Sequence, residues 1–386
     1  MNWFTGKPFC KPILFEYKIA VFLMRKITII LFFCLFHVAG NSQIYIEGTA
    51  TTGVMIQRNF RGSASLLKER PYACGLSVSQ QTDSCQTWAS FFNYPRYGVE
   101  FLFVSPGNPE NIGRVYSLIS HMRFSLLRKN YLLNPGFRIG LGVGYVTKPF
   151  DPNTNYKNII LSSHWNAAVA LSLDVEARLF GSRLLLRSGV GLTHFSNGAT
   201  KIPNFGMNIF TGSVTASYAL SEKKLFPCKY TPDKPEPDRR INIDVFLLGG
   251  RKESWDLFDG EKYGVAALSA EASYRYARQL RIGVCADLLY DSSKRMEILK
   301  TDSVSIAHWK TLKPGLALSH EFLFGRLSAF LQYGVYIHLN KYDDRATYQR
   351  LALRYALTDR FRLHLGLKSH KTRADCIEFG LGVRVF

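Results

Sequence analysis

A histidine and a serine two residues apart, His194 and Ser196 in the run Thr193-His194-Phe195-Ser196-Asn197-Gly198, are the residues of this chain best spaced to do chemistry. On an extended strand, side chains two apart point to the same face. An imidazole beside a hydroxyl is then a general base beside a weak nucleophile, the pairing that acyl transfer needs. The run Pro203-Asn204-Phe205-Gly206-Met207-Asn208 follows closely, so that Asn197, Asn204 and Asn208 bring amide side chains to the same stretch.

The residues leading into the pair set the direction in which it faces. Leu184, Leu186, Ser188, Val190 and Leu192 share the parity of His194 and Ser196, while Arg183, Arg187, Gly189, Gly191 and Thr193 take the other face. The pair therefore lies on the apolar side. In a water-soluble fold that side is core, but in a membrane barrel it faces lipid, and a hydrolytic pair there would meet a lipid substrate.

Composition and ends favour the barrel. Met24-Arg25-Lys26, the apolar run 27–36 and the small and polar residues through Gln43 read as a secretory signal peptide over residues 1–42, with Met24 a candidate start. Beyond it no run is long and apolar enough for a spanning helix, so membrane residence must come from strands. Aromatics make up 14% of the chain, and segments of about ten residues alternate apolar and polar between turn signals, the signature of an outer-membrane barrel. Sixteen strands are expected, including 43–57, 162–178, 182–194, 207–221, 240–252 and 376–386, with boundaries good to a few residues. An all-β antiparallel transmembrane barrel of about 14–16 strands follows. Tight joints at Lys129-Asn130, Gly181-Ser182, Arg278-Gln279, Gly325-Arg326 and Thr358-Asp359 are all even-to-odd, which makes them periplasmic turns and sends the strand ending at His194 to the outer surface.

The charged, Pro-rich stretch 223–239 reads as a linker between strands 43–222 and strands 240–386. It could separate two eight-stranded barrels. One barrel closing the whole chain is preferred, because closure removes every edge. The chain ends Phe379-Gly380-Leu381-Gly382-Val383-Arg384-Val385-Phe386, and a terminal Phe is similar to the assembly signal of outer-membrane barrels.

The net charge is +20, of which the first 42 residues carry five Lys/Arg against one Glu, leaving about +16 on the remainder. An exported basic chain suits an anionic lipid such as lipopolysaccharide, or simply solvates loops and lumen. No nucleic-acid motif is present. Gly140, Gly142 and Gly144 lie along a strand and so lack the strand-to-helix context of a dinucleotide loop. Cys74, Cys85, Cys228, Cys285 and Cys376 lack metal-type spacing, as do His308, His320, His338, His364 and His370. Cys74 and Cys85 could bridge a strand to the next loop.

His194, Ser196, Asn197, Asn204 and Asn208 together resemble the signature of the lipid A 3-O-deacylase (PagL) family, outer-membrane barrels that remove an ester-linked acyl chain from lipid A. Segments 93–100, 107–110, 140–145, 155–158 and 163–166 are similar to a longer Bacteroidetes-type branch labelled acyloxyacyl hydrolases. The resemblance covers about 70–222. It implies a cofactor-free esterase in the cell outer membrane, with Ser196 as nucleophile, His194 as general base, and Asn197 and Asn204 as oxyanion donors. Where the family pattern has a glutamate to orient the histidine, this chain has Asn208, on the same face as His194 but uncharged. Replacing the acid of a serine triad by an amide can cost ~10⁴ in turnover. Asp174 and Glu176 are the nearest acids, yet with His164 and Arg178 they take the lumen parity of their strand, on the wrong side of the wall. The alternative to an esterase is an inactive barrel serving as a pore or structural protein, since sixteen strands would enclose a channel. Self-association into a homodimer stays open.

Overall fold

The computed structural model describes residues 42–386, apart from 57–65, 67, 83–85, 128–131, 180–182, 221–239, 303–306, 338–344 and 372. The expected signal peptide and linker fall outside the described residues, as do Cys85, Cys228 and His338. Among the described residues there are sixteen antiparallel strands. They are β1 (Ile44–Ile56), β2 (Tyr72–Gln81), β3 (Arg96–Ser105), β4 (Val115–Ser125), β5 (Leu133–Val146), β6 (Trp165–Arg178), β7 (Leu184–Ser196) and β8 (Met207–Ala219). After the linker come β9 (Ile241–Lys252), β10 (Tyr263–Ala277), β11 (Leu280–Asp291), β12 (Lys313–Phe324), β13 (Leu327–Tyr336), β14 (Thr347–Ala356), β15 (Phe361–His370) and β16 (Arg373–Arg384). A helix α1 (Ser292–Asp302) interrupts the β11–β12 connection.

The preference for one closed barrel is overturned, because β1–β8 and β9–β16 close separately. β8 returns to β1, with Tyr45 opposite Ala219, and β16 returns to β9, with Arg384 opposite Asp244. Two closures remove edges as completely as one.

Alternation along each strand turns the usual burial inside out. Leu76, Leu173, Leu247, Leu318 and Phe379 are exposed on the outer walls, while Glu47, Asp244 and Arg350 are among the most buried side chains. This is the lipid-facing, polar-lumened pattern of a membrane barrel. In the first lumen Arg96 forks onto Glu176 at 3.0 Å, Arg123 Nε reaches Asp174 at 2.8 Å and Arg187 reaches Glu47 at 2.8 Å. In the second, Arg350 bridges Asp287 at 3.1 Å and Glu378 at 2.6 Å, and Arg354 reaches Glu271 at 2.6 Å. Pairing is what makes such buried charges tolerable. Eight strands leave room for little more than these side chains.

Asp174 and Glu176 thus sit in the lumen, as their parity requires. His164 does not. It is exposed, its Nδ1 lies 2.7 Å from Val146 O, and its ring stacks on Tyr145 with centroids 5.2 Å apart. The reason is that β6 begins only at Trp165, so His164 precedes the alternation that would have turned it inward.

Candidate functional site

Strand register assembles the site at the end of β7. His194 stands directly opposite Asn208 across the β7–β8 ladder, and Ser196 stands opposite Ala167 on β6. Directly paired strand residues bring their Cβ atoms within about 5 Å. His194 Nδ1 and Asn208 Oδ1 are accordingly 2.8 Å apart. With the amide oxygen facing the ring, Nδ1–H donates, and the lone pair of the neutral imidazole is left on Nε2. Gly206, at φ 76°, packs its backbone against the ring; a Cβ there would come within 2.7 Å of His194 Cε1.

Ser196 Oγ accepts two hydrogen bonds, from Asn204 Nδ2 at 2.8 Å and from Gly198 N–H at 3.2 Å. Both donors belong to the ten-residue β7–β8 loop, 197–206. Their convergence leaves the hydroxyl proton free for another acceptor and surrounds the oxygen with the groups that would stabilise negative charge. No hydrogen bond joins the His194 ring to Ser196 Oγ. In the absence of substrate such contacts are often long, and they close when substrate binds.

Asn197 is not brought to Ser196. Its Nδ2 donates to Ser162 Oγ at 3.1 Å, Ser163 Oγ at 3.0 Å and Lys201 O at 2.9 Å, so its amide holds the loop to the β5–β6 connection. Asn197 lies just past the end of β7, so the loop and not strand parity sets where its side chain points. A backbone N–H near the amides is expected from the resemblance without being named, and the structure supplies that of Gly198, at the Asn-Gly turn signal. Sequence reasoning missed Gly206, whose role appears only once β8 lies beside β7.

Residues 72–217 match the family model described as Lipid A 3-O-deacylase (PagL), and residues 241–386 match the model described as Acyloxyacyl hydrolase, C-terminal domain. The chain belongs to the lipid A 3-O-deacylase family. It is an outer-membrane β-barrel protein of a hydrolase family whose substrate is lipid A. The second match also gives the β9–β16 barrel a family counterpart of its own, which the resemblance at 70–222 did not reach. Comparison with curated proteins found no match.

Among solved structures, an outer membrane protein of Acinetobacter baumannii is 9% identical, with 89% of this chain and 99% of that chain covered at a TM-score of 0.18. The beta domain of the Bordetella autotransporter BrkA is 9% identical, with 89% and 98% covered at 0.26. A mutant Rh. blastica porin is 9% identical, with 88% and 99% covered at 0.18. At such scores none of the three bears on what a lipid A deacylase site does.

Proposed function

We propose that the chain is an esterase of the outer leaflet in which Ser196 attacks an ester carbonyl of lipid A and His194 Nε2 takes its proton. The observation that carries this reading is the convergence of Asn204 Nδ2 and Gly198 N–H on Ser196 Oγ. As Oγ bonds to the carbonyl carbon, negative charge moves to the carbonyl oxygen beside it. The same two donors then lie within reach of that oxygen, and one such donor is worth about 10²–10³ in rate. His194 returns its proton to the leaving alkoxide, and water then cleaves the acyl-serine by the reverse sequence. Asn208 holds the ring in the tautomer with Nε2 unprotonated, the service that an acid performs elsewhere, but without charge to stabilise the imidazolium. No step calls for a cofactor. Across the ladder His194 and Ser196 stand beside Val169 and Ala167 of β6, and the neighbouring Val143 and Trp165 are exposed on the apolar outer wall, a surface suited to acyl chains rather than to a soluble ester.

The pore reading depended on a sixteen-strand lumen. Eight-strand barrels packed with Arg96, Arg123, Arg187, Arg350 and Arg354 and their carboxylates do not enclose one. The test is to incubate the folded wild type and Ser196→Ala with lipid A in detergent or reconstituted membrane and follow acyl loss by mass spectrometry. Loss of one ester-linked chain with the wild type alone is the expected result. Intact lipid A with both would leave a structural role in the membrane.

A further inference from the structure

The β7–β8 loop that carries both donors to Ser196 Oγ is gripped from two sides, and one of them is the other barrel. On its own barrel's side, Ser162 Oγ donates to Lys201 O at 2.7 Å and Gly206 N–H donates to Ile160 O at 3.1 Å. On the opposite flank stands Glu253, the first residue after β9 and only 6% exposed. Its backbone N–H donates to Ala199 O at 2.9 Å, and its carboxylate Oε2 accepts from Ile202 N–H at 2.7 Å. Its other oxygen accepts from Lys262 Nζ at 2.9 Å, and Lys262 also donates to Thr200 O.

Packing follows the same line. The Phe205 ring meets Trp255 edge to face at 5.2 Å, and a Cβ on Gly198 would come within 2.5 Å of Ile377 Cγ1 of β16. At the opposite end the barrels touch through Phe324, which packs on Trp88, Phe92 and Phe124, far along the strands from Ser196. Among the described residues, the contact through Glu253, Trp255 and Ile377 is the one that reaches the site. Gly198 and Ala199 there take consecutive left-handed conformations, φ 62° and 65°. A residue with a Cβ keeps that conformation only where its surroundings hold it, and Ala199 is held through its carbonyl by Glu253.

We propose that Glu253 is a positioning residue for ester cleavage: by fixing Ala199 and Ile202 it sets the loop on which the Gly198 N–H and the Asn204 amide aim at Ser196 Oγ. The second barrel is then part of the enzyme's working site and not an appended membrane anchor. The inference rests on the proposed hydrolysis at Ser196, and it extends that site across the barrel boundary.

The test uses the full chain, with heat-modifiable gel mobility to verify folding. Glu253→Ala removes the carboxylate grip and should lower kcat by about 10–100-fold with KM within about twofold, the signature of misplaced transition-state donors. Glu253→Gln keeps an acceptor for Ile202 N–H and should recover most of that loss. Glu253→Asp is too short to reach Ile202, and it replaces the alanine variant if that one does not fold. Independently of activity, trypsin should cut after Lys201 at least about tenfold faster in Glu253→Ala, because the freed loop opens locally. Wild-type kcat in Glu253→Ala, a glutamine variant no better than alanine, or an unchanged cutting rate would each overturn the proposal. Faster cutting in a protein whose wild type leaves lipid A intact would uphold the grip on the loop and refute the esterase reading instead.

Discussion

Replacing Asn208 by aspartate is the most incisive perturbation of the proposed site, because it changes charge with almost no change of shape. Asn208 Oδ1 already accepts from His194 Nδ1 at 2.8 Å, so the carboxylate inherits both the position and the tautomer. Elsewhere the ~10⁴ penalty for an amide in a serine triad comes from holding the wrong tautomer. Here only the electrostatic share is missing. A neutral hydrogen bond contributes about 0.5–1.5 kcal/mol and one to a charged group about 1.5–3. The difference of about 1–1.5 kcal/mol corresponds to roughly 5–15-fold in rate, reduced by the cost of placing a carboxylate on a half-buried, lipid-side surface. Initial rates of acyl release from lipid A, measured for folded wild type, Asn208→Asp and Asn208→Ala, give the answer. Aspartate should be several-fold faster than wild type, and alanine at least about 10²-fold slower because the ring loses its orientation. A gain near ~10⁴ with aspartate would show that the native amide turns its NH2 to the ring and leaves the enzyme idle. An alanine variant as fast as wild type would refute the orienting role altogether.

Asn204→Ala should lower kcat by about 10²–10³ with little change in KM, since it deletes one donor 2.8 Å from Ser196 Oγ; steady-state kinetics on the same substrate reads this split. Gly206→Ala drives a methyl to within 2.7 Å of His194 Cε1 and should abolish most turnover while the barrel keeps its heat-modifiable gel shift. On the wall of the second barrel, Leu318 is 65% exposed at mid-strand, so Leu318→Arg should lower the free energy of unfolding by about 2–4 kcal/mol in a urea titration in bilayers.

Much of the fold was legible because alternation is written residue by residue. The parity of Leu184, Leu186 and Val190 put His194 and Ser196 on the outer wall, and the same rule sent Asp174 and Glu176 into the lumen. It failed at His164, one residue before its strand begins, where no pleat yet dictates direction. It was also silent on closure. Sixteen strands can form one barrel or two with equal satisfaction of their backbones, and only the pairing of β8 with β1 and of β16 with β9 decided between them. Among the site amides, parity separated Asn208 from its neighbours but could not tell that Asn204 would reach Ser196 while Asn197 turned to Ser162 and Ser163, because both lie in a loop without a repeating geometry.

By itself the sequence determined what each face of each strand would meet, lipid or lumen, and which residue types could do acyl-transfer chemistry there. That information is local, carried by a period of two and by the chemistry of single side chains. The tertiary structure alone decided the partners: Asn208 against His194, Gly198 N–H and Asn204 on Ser196, and Glu253, from beyond the linker, on the loop between them. Such contacts depend on strand register and on how two closed walls lie against each other. Both arise from the summed packing of the whole chain and leave no periodic trace in it.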